Sequence, residues 1–225
     1  MVLNMKKFLV LLLLIEKFAF SQGKFVSLTF DDGPHPGYIP RIVRILEKYN
    51  ARATFFVVGK MAEKYPDLIK LLVESGMELG NHTYSHRRLK YLRYEERIKE
   101  IEMTNKVIEK ICGVHLKYLR PPGGRYDWEV ITLAEKFGME VILWDVNSND
   151  SNKYLTEKEF FDGIFSKIRN GSIILLHTGS DLTLRVLEKL IIRLKRMGYK
   201  ILTVSGLKKR QKKCLIYQEF KRDLF

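Results

Sequence analysis

The chain has only two cysteines, Cys112 and Cys214, so neither a disulfide framework nor a cysteine-based zinc pattern organises it. Its longest apolar run, residues 8–15, is eight residues long, too short to cross a bilayer as a helix. No Gly-x-Gly-x-x-Gly follows the first apolar strand, which removes support for a dinucleotide-binding fold. Acidic residues are few beside basic ones, 26 against 40, and the net charge is +14. That excess points to an anionic surrounding: nucleic acid, anionic lipid or an acidic polymer. No zinc-finger, RNA-recognition or helix-turn-helix pattern accompanies it, so sequence-specific nucleic-acid binding is not expected.

What is present reads as one globular domain. Hydrophobic residues make up 46% of the 225 and charged ones 29%, the balance of a chain that buries a core. Lys6 and Lys7 precede the short apolar run, and Ala19 and Ser21 supply small residues before Gln22. Residues 1–21 are therefore expected to be a signal peptide or N-terminal anchor, which implies an exported protein and no membrane span in the mature chain. Residues 22–205 are the expected domain, and 206–225 a basic tail.

Across the domain, strand and helix signals alternate about seven times. Strands are expected over residues 24–30, 52–58, 77–80, 116–119, 139–146, 171–176 and 199–204, with helices of 3.6-residue apolar spacing between them. This alternation argues for a parallel sheet flanked by helices, closed or nearly closed into a barrel.

The chemically capable residues gather at one kind of place. Asp31 and Asp32 end the first strand, His82 and His86 follow the third, and Arg120 ends the fourth. Asp145 and Asp150 flank the end of the fifth, and His177 ends the sixth. In a parallel sheet all these strand ends open on one face, where sites are built. Asp31-Asp32-Gly33-Pro34 alone would serve equally well as a solvated turn. Three of the chain's five histidines at strand ends change that balance. One carboxylate with two imidazoles, spaced His-x-x-x-His, suits a divalent metal with positions left open: Zn²⁺ first, with Co²⁺, Fe²⁺ or Ni²⁺ also compatible.

Four motifs then occur in order: Thr29-Phe30-Asp31-Asp32-Gly33-Pro34, His82-Thr83-Tyr84-Ser85-His86, Arg120-Pro121-Pro122-Gly123-Gly124 and Leu175-Leu176-His177. In these the chain resembles the polysaccharide deacetylases of carbohydrate esterase family 4, the NodB-homology family. The resemblance covers roughly residues 24–204. It implies a distorted, incomplete (β/α) barrel of about seven parallel strands. It also implies metal-dependent removal of N-acetyl groups from N-acetylglucosamine polymers, peptidoglycan before chitin-type oligomers. Two alternatives are an O-acetyl (xylan) esterase on the same site and a non-catalytic carbohydrate-binding relative.

By the same resemblance, Asp32, His82 and His86 hold the metal, Asp31 is the catalytic base and Arg120 steadies that base. His177 is the catalytic acid, the Gly123 backbone N–H faces the oxyanion, and Leu175 lies against the acetyl methyl. The chain departs from the family pattern after the fifth strand, where an Asp-x-x-Asp-Trp motif is usual and Asn147-Ser148-Asn149-Asp150-Ser151 stands instead. Asn147 occupies the position of the aspartate expected to tune His177, and Ser151 that of a pocket-wall tryptophan. The expected consequence is a lowered pKa for His177 and a more acidic activity optimum, unless Asp145 substitutes from the same face of the strand.

Overall fold

The computed structural model describes residues 23–211. The expected signal peptide or anchor and most of the basic tail lie outside the described residues. Among the described residues no helix is long and apolar enough to cross a membrane.

The strands are β1 (Lys24–Asp31), β2 (Thr54–Val57), β3 (Glu78–Asn81), β4 (Tyr118–Leu119), β5 (Glu140–Val141), β6 (Val146–Asn147), β7 (Ser172–His177) and β8 (Tyr199–Ile201). The helices are α1 (Ile39–Lys48), α2 (Gly59–Lys64), α3 (Pro66–Glu74), α4 (Tyr94–Cys112), α5 (Trp128–Lys136), α6 (Glu157–Phe165) and α7 (Asp181–Arg196). The strands run β5-β4-β3-β2-β1-β7-β6, with β8 on the early part of β1, and every pairing is parallel.

This order forces the sheet to curl. Six neighbour spacings would put flat edges about 29 Å apart. The edge strands β5 and β6 are joined by residues 142–145 alone, and the five steps from Val141 to Val146 reach about 18 Å at most. The result is the distorted, incomplete barrel that the motifs imply.

The expected strand over 139–146 is thus two short strands on opposite edges, because its middle leaves one neighbour to reach the other. The Ile142 N–H still donates to Leu119 O (2.9 Å), and the Asp145 N–H to Ile173 O (3.2 Å). Between β2 and β3 the chain forms two helices, α2 and α3, since Pro66 has no N–H to continue a helix and opens a new one. The last strand stops at Ile201, and residues 204–211 are helical, with Val204 and Leu207 buried. Those two apolar side chains anchor the first turn of a helix that begins just before what reads in sequence as a basic tail.

Period-2 alternation splits the sheet into two faces. Val26, Leu28 and Phe30 of β1 point to the main core under the helices, where Phe30 stacks on Phe55 at 4.8 Å. The concave face carries a smaller apolar cluster, Phe56, Tyr118, Ile142 and Val204. It also carries buried polar groups: Ser27, Thr29, Asp31 and Thr54. A charged residue inside that face is the first sign of where the chemistry lies.

Candidate active site

Arg120 is that residue, with none of its side chain exposed. It sits where the broken strand leaves carbonyls without ladder partners. Its Nε donates to Ile142 O (3.1 Å) and its Nη2 to Leu143 O (3.0 Å). Its Nη1 donates to Thr29 Oγ1 and to Asp31 Oδ1, both at 2.8 Å. The guanidinium also lies 4.0 Å from the Phe56 ring centre. Burial pulls the Arg120 pKa down and the Asp31 charge works against it. A charge this deep persists because Asp31 pairs with it and the carbonyls satisfy the remaining donors.

Asp31 and Asp32 separate at the strand end. Asp31 is still in β1, in register with His177 of β7, and is buried. Asp32 turns out of the sheet with φ +74°, a left-handed conformation uncommon for any residue but glycine. The turn swings its carboxylate toward the loop after β3.

That loop is not helical. Asn81 Oδ1 accepts from the Thr83 N–H (2.7 Å), and Thr83 and His86 take φ of +65° and +61°. His82 and His86 are therefore brought together by a strained turn and not by one turn of helix. The nearly buried Glu100 carboxylate of α4 holds that turn through the Ser85 N–H (2.8 Å) and hydroxyl (2.5 Å). Strain of this kind persists only where the surroundings over-determine it.

The three side chains converge. His82 Nε2 is 3.4 Å and His86 Nε2 3.0 Å from Asp32 Oδ1, and ligand atoms of all three lie within 4.8 Å of one another. His82 Nδ1 donates to Arg120 O at 2.7 Å, which fixes the ring so that Nε2 faces Asp32. Asp32 Oδ1 is buried without a hydrogen-bond partner among the described residues. An orphaned buried carboxylate oxygen between two imidazole nitrogens fits a divalent cation. Burial would raise the Asp32 pKa, but His82 and His86 outweigh it and hold the carboxyl far below the usual range.

Across the opening, His177 Nδ1 donates to Asp150 Oδ1 at 2.6 Å. Asp150 Oδ2 accepts from the His177 N–H (2.8 Å) and from the Thr183 hydroxyl, so the buried carboxylate is satisfied. Burial of the His177 ring favours its neutral form. The hydrogen bond and charge of Asp150, then the Asp32 and Asp31 carboxylates, outweigh this and push its pKa up to about 9.

The partner of His177 is therefore neither residue expected from sequence. Asn147 Oδ1 accepts from the Asn149 N–H (2.9 Å), which closes a local turn. Asp145 binds the start of β7, through the Ile173 N–H (2.7 Å) and Ser172 Oγ (3.1 Å), at the strand end away from His177. The break between β5 and β6 puts it there. The expected lowered pKa and acidic optimum fall with that assignment. The signal for Asp150 was in the sequence: it is the second acidic position of the Asp-x-x-Asp pattern, retained where the first is Asn147.

The other expected site residues lie close by. Gly123, φ +66°, sits in the turn Pro122–Gly124 after Arg120. Leu175 is buried in β7, in register with Thr29. His35 went unremarked in sequence. Its Nδ1 meets the Thr178 hydroxyl (2.8 Å), which itself donates to Asp31 O (3.0 Å), so Nδ1 carries the proton. A cleft of about 660 Å³ opens beside this cluster, lined by Asp32, His35, Asp150, Ser151, Lys153 and His177 among others. Ser151 thus lines the cleft where a tryptophan was expected.

Comparison with known proteins agrees with the fold. The family described as Polysaccharide deacetylase matches residues 21–142. The peptidoglycan-N-acetylmuramic acid deacetylase PdaC of Bacillus subtilis is 36% identical over 189 residues, which are 84% of this chain and 40% of that longer protein. A peptidoglycan-N-acetylglucosamine deacetylase of Bacillus cereus is 33% identical over 82% of this chain and 88% of its own length. The solved structure of PdaC superposes with a TM-score of 0.82 at 34% identity, over 89% of this chain and 97% of that one. A CE4 family pseudoenzyme from Bacillus anthracis is also similar, at TM-score 0.78 and 32% identity, over 82% of this chain and 65% of that one. The chain belongs to the polysaccharide deacetylase family.

Proposed function

We propose that the chain hydrolyses N-acetyl groups from N-acetylglucosamine-containing polysaccharide, with glycan strands of peptidoglycan as the favoured substrate and chitin-type oligomers next. One observation carries the reading. A carboxylate fixed by a buried arginine and an imidazole fixed by a buried carboxylate face one Asp-His-His cluster. Hydrolysis of an amide needs both a base for water and an acid for the departing nitrogen.

Asp32, His82 and His86 would hold a divalent ion, zinc by the donor set with cobalt, iron or nickel as alternatives. When bound, the ion supplies Lewis acidity toward the acetyl oxygen and lowers the pKa of water. The remaining work belongs to the chain. Arg120 holds Asp31 through Oδ1, which leaves Oδ2, 3.7 Å from His82 Nε2, on the cluster side to take a proton from the attacking water. The Gly123 N–H is the proposed donor to the oxygen that gains charge as water adds to the acetyl carbon. His177, protonated at neutral pH and fixed at Nδ1 by Asp150, presents Nε2–H to the sugar nitrogen. As the C–N bond breaks, that proton passes to nitrogen, and acetate and a free amine leave. Leu175 is proposed to lie against the acetyl methyl. An exported, cell-envelope location goes with this substrate, and the net charge of +14 suits an anionic wall.

Acetate release from N-acetylglucosamine oligomers, peptidoglycan strands and acetylxylan, each with and without a chelator, tests the reading. Chelator-sensitive release from the first two is the expected result. Release from acetylxylan alone would favour the O-acetyl esterase, for which Ser151 in the cleft wall is the specific observation. No release from any of them under added divalent metals would favour a non-catalytic carbohydrate binder, the reading that the likeness to a pseudoenzyme keeps open.

A further inference from the structure

His35 has no part in the proposed acid-base chemistry, yet its ring is held in one orientation. Its Nδ1–H donates to Thr178 Oγ1 (2.8 Å), whose own proton goes to Asp31 O (3.0 Å). The tautomer is thereby fixed, and Nε2 keeps a lone pair. Two glycines permit the fit. A Cβ on Gly33 would lie 2.9 Å from Thr178 Oγ1, and one on Gly179 would lie 3.3 Å from His35 Cε1. The ring therefore rests on the loop after β7, beside the second residue beyond His177. Burial pulls its pKa down against the Asp32 charge, so it is neutral at pH 7. Among the described residues Nε2 has no hydrogen-bond partner, and His35 lines the same cleft as Asp32 and His177. A ring that only tied the β1 loop to β7 would need Nδ1 alone. Here a second nitrogen is left open on the wall of the cleft, next to the reacting groups.

We infer that His35 is a specificity-determining residue whose Nε2 accepts a hydrogen bond from a free hydroxyl of the glycan in the cleft. This rests on the deacetylase reading and adds a substrate contact to it. An internal unit of a β-1,4 N-acetylglucosamine chain keeps two free hydroxyls, at C3 and C6, and each is a donor. The carboxylates that line the active-site end of the cleft are engaged elsewhere: Asp150 holds His177 and Thr183, and Asp32 lies between His82 and His86. A neutral imidazole nitrogen suits an uncharged donor, since it costs less than a carboxylate to strip of water. A site built to bond a hydroxyl rejects the analogue that lacks it, because the acceptor is then left unpaired. The contact is remote from the bond that breaks, so it acts equally on ground and transition states and appears in KM more than in kcat.

The test compares an N-acetylglucosamine pentamer with its 3-deoxy and 6-deoxy counterparts, on the zinc-loaded full chain and on its His35→Asn variant. Asparagine keeps an N–H for Thr178 and lacks an atom at the place of Nε2, so the tie to β7 survives and the acceptor is lost. The unaltered protein should lose about three- to tenfold in kcat/KM on one of the deoxy oligomers, mostly through KM. His35→Asn should lose as much on the fully hydroxylated pentamer and treat it and that deoxy oligomer alike. His35→Gln, whose amide oxygen reaches toward the place of Nε2, should recover part of the loss. No deoxy penalty in the unaltered protein, full activity in His35→Asn, or equal deoxy penalties in both proteins would overturn the contact and leave the deacetylase reading standing. So would a fall in Zn²⁺ affinity of His35→Asn by calorimetry, which would assign the ring to the metal cluster. No acetate release by the unaltered protein from any of the oligomers would overturn both.

Discussion

His177 donates from Nδ1 to Asp150 at 2.6 Å, and the same carboxylate accepts the His177 backbone N–H at 2.8 Å. Two bonds from one residue to one carboxylate fix both the tautomer and the tilt of the ring. Asp150→Asn should therefore lower the His177 pKa from about 9. The acid form would then be lost at lower pH. The alkaline limb of kcat/KM should move down by at least about one unit, so activity near pH 8–9 falls about tenfold or more while the acidic limb stays. Parallel pH–rate profiles check this, and an unmoved alkaline limb would count against His177 as the acid.

The same shift couples to stability, with a definite sign. A histidine whose pKa is raised on folding stabilises the native state fully below its unfolded pKa, about 6.5. That contribution is lost as pH rises through the folded value of about 9. In metal-free protein it amounts to roughly 3 kcal/mol. Urea unfolding of chelated protein against chelated His177→Gln should show the two curves converging between pH 6.5 and 9.

Asn147→Asp offers the contrasting case. The Asn147 side chain accepts from the Asn149 N–H and leaves His177 to Asp150. An added carboxylate there lacks the bond to the ring, so the profile should shift by less than about half a unit, within the range of a screened charge. A larger rise in the alkaline limb would mean that the loop rearranges to bring residue 147 onto the histidine.

The contrast shows what could be read from the chain alone. Strand-end placement of Asp31, Asp32, His82, His86, Arg120 and His177 was legible because a parallel sheet gathers such ends, and local sequence marks the strands. The roles of Asp145 and Asp150 were not. They depend on a strand that breaks between two sheet edges, which is a demand of barrel curvature and leaves no local periodicity. The tight turn that brings His82 and His86 together was equally hidden, because left-handed conformations at Asp32, Thr83 and His86 carry no glycine to mark them. Arg120 was placed at a strand end, but its burial follows from the carbonyls that the broken strand exposes.

Protons should compete with metal at the Asp-His-His cluster. The Asp32 contact raises the His86 pKa, burial opposing, so part of His86 is protonated near neutral pH without metal. Metal binding must displace that proton. Calorimetry with Zn²⁺ in buffers of different ionisation enthalpy should show net proton release at pH 7, and affinity should fall as the pH is lowered, because the raised His86 pKa brings the proton into competition above its ordinary range. Asp32→Asn should weaken binding by a factor of a hundred or more and remove the protection against thermal unfolding that the metal confers. Loading should also lower the His177 pKa, because the cation neutralises the Asp32 charge that helps to raise it.

Arg120 joins the site to the fold, and its substitutions should separate the two. Removing the side chain leaves Asp31 as an unpaired charge with 3% of its surface exposed and strands the Ile142 and Leu143 carbonyls. Breaking a buried pair costs about 3–5 kcal/mol, so Arg120→Ala should lose that much stability in urea. Arg120→Lys keeps a charge for Asp31 but cannot reach Thr29, Ile142 and Leu143 together, so it should recover part of the stability. Activity should recover less, because one ammonium holds a carboxylate by charge without fixing its plane, and the proposed base must be aimed as well as ionised. The partner change Asp31→Asn keeps the side-chain shape and a carbonyl oxygen for Arg120. It should cost less stability than Arg120→Ala while reducing kcat by a thousandfold or so, the order expected when a general base is removed. If Asp31→Asn retained most of its kcat, Asp31 would be a structural counterion to Arg120 and the base would lie elsewhere.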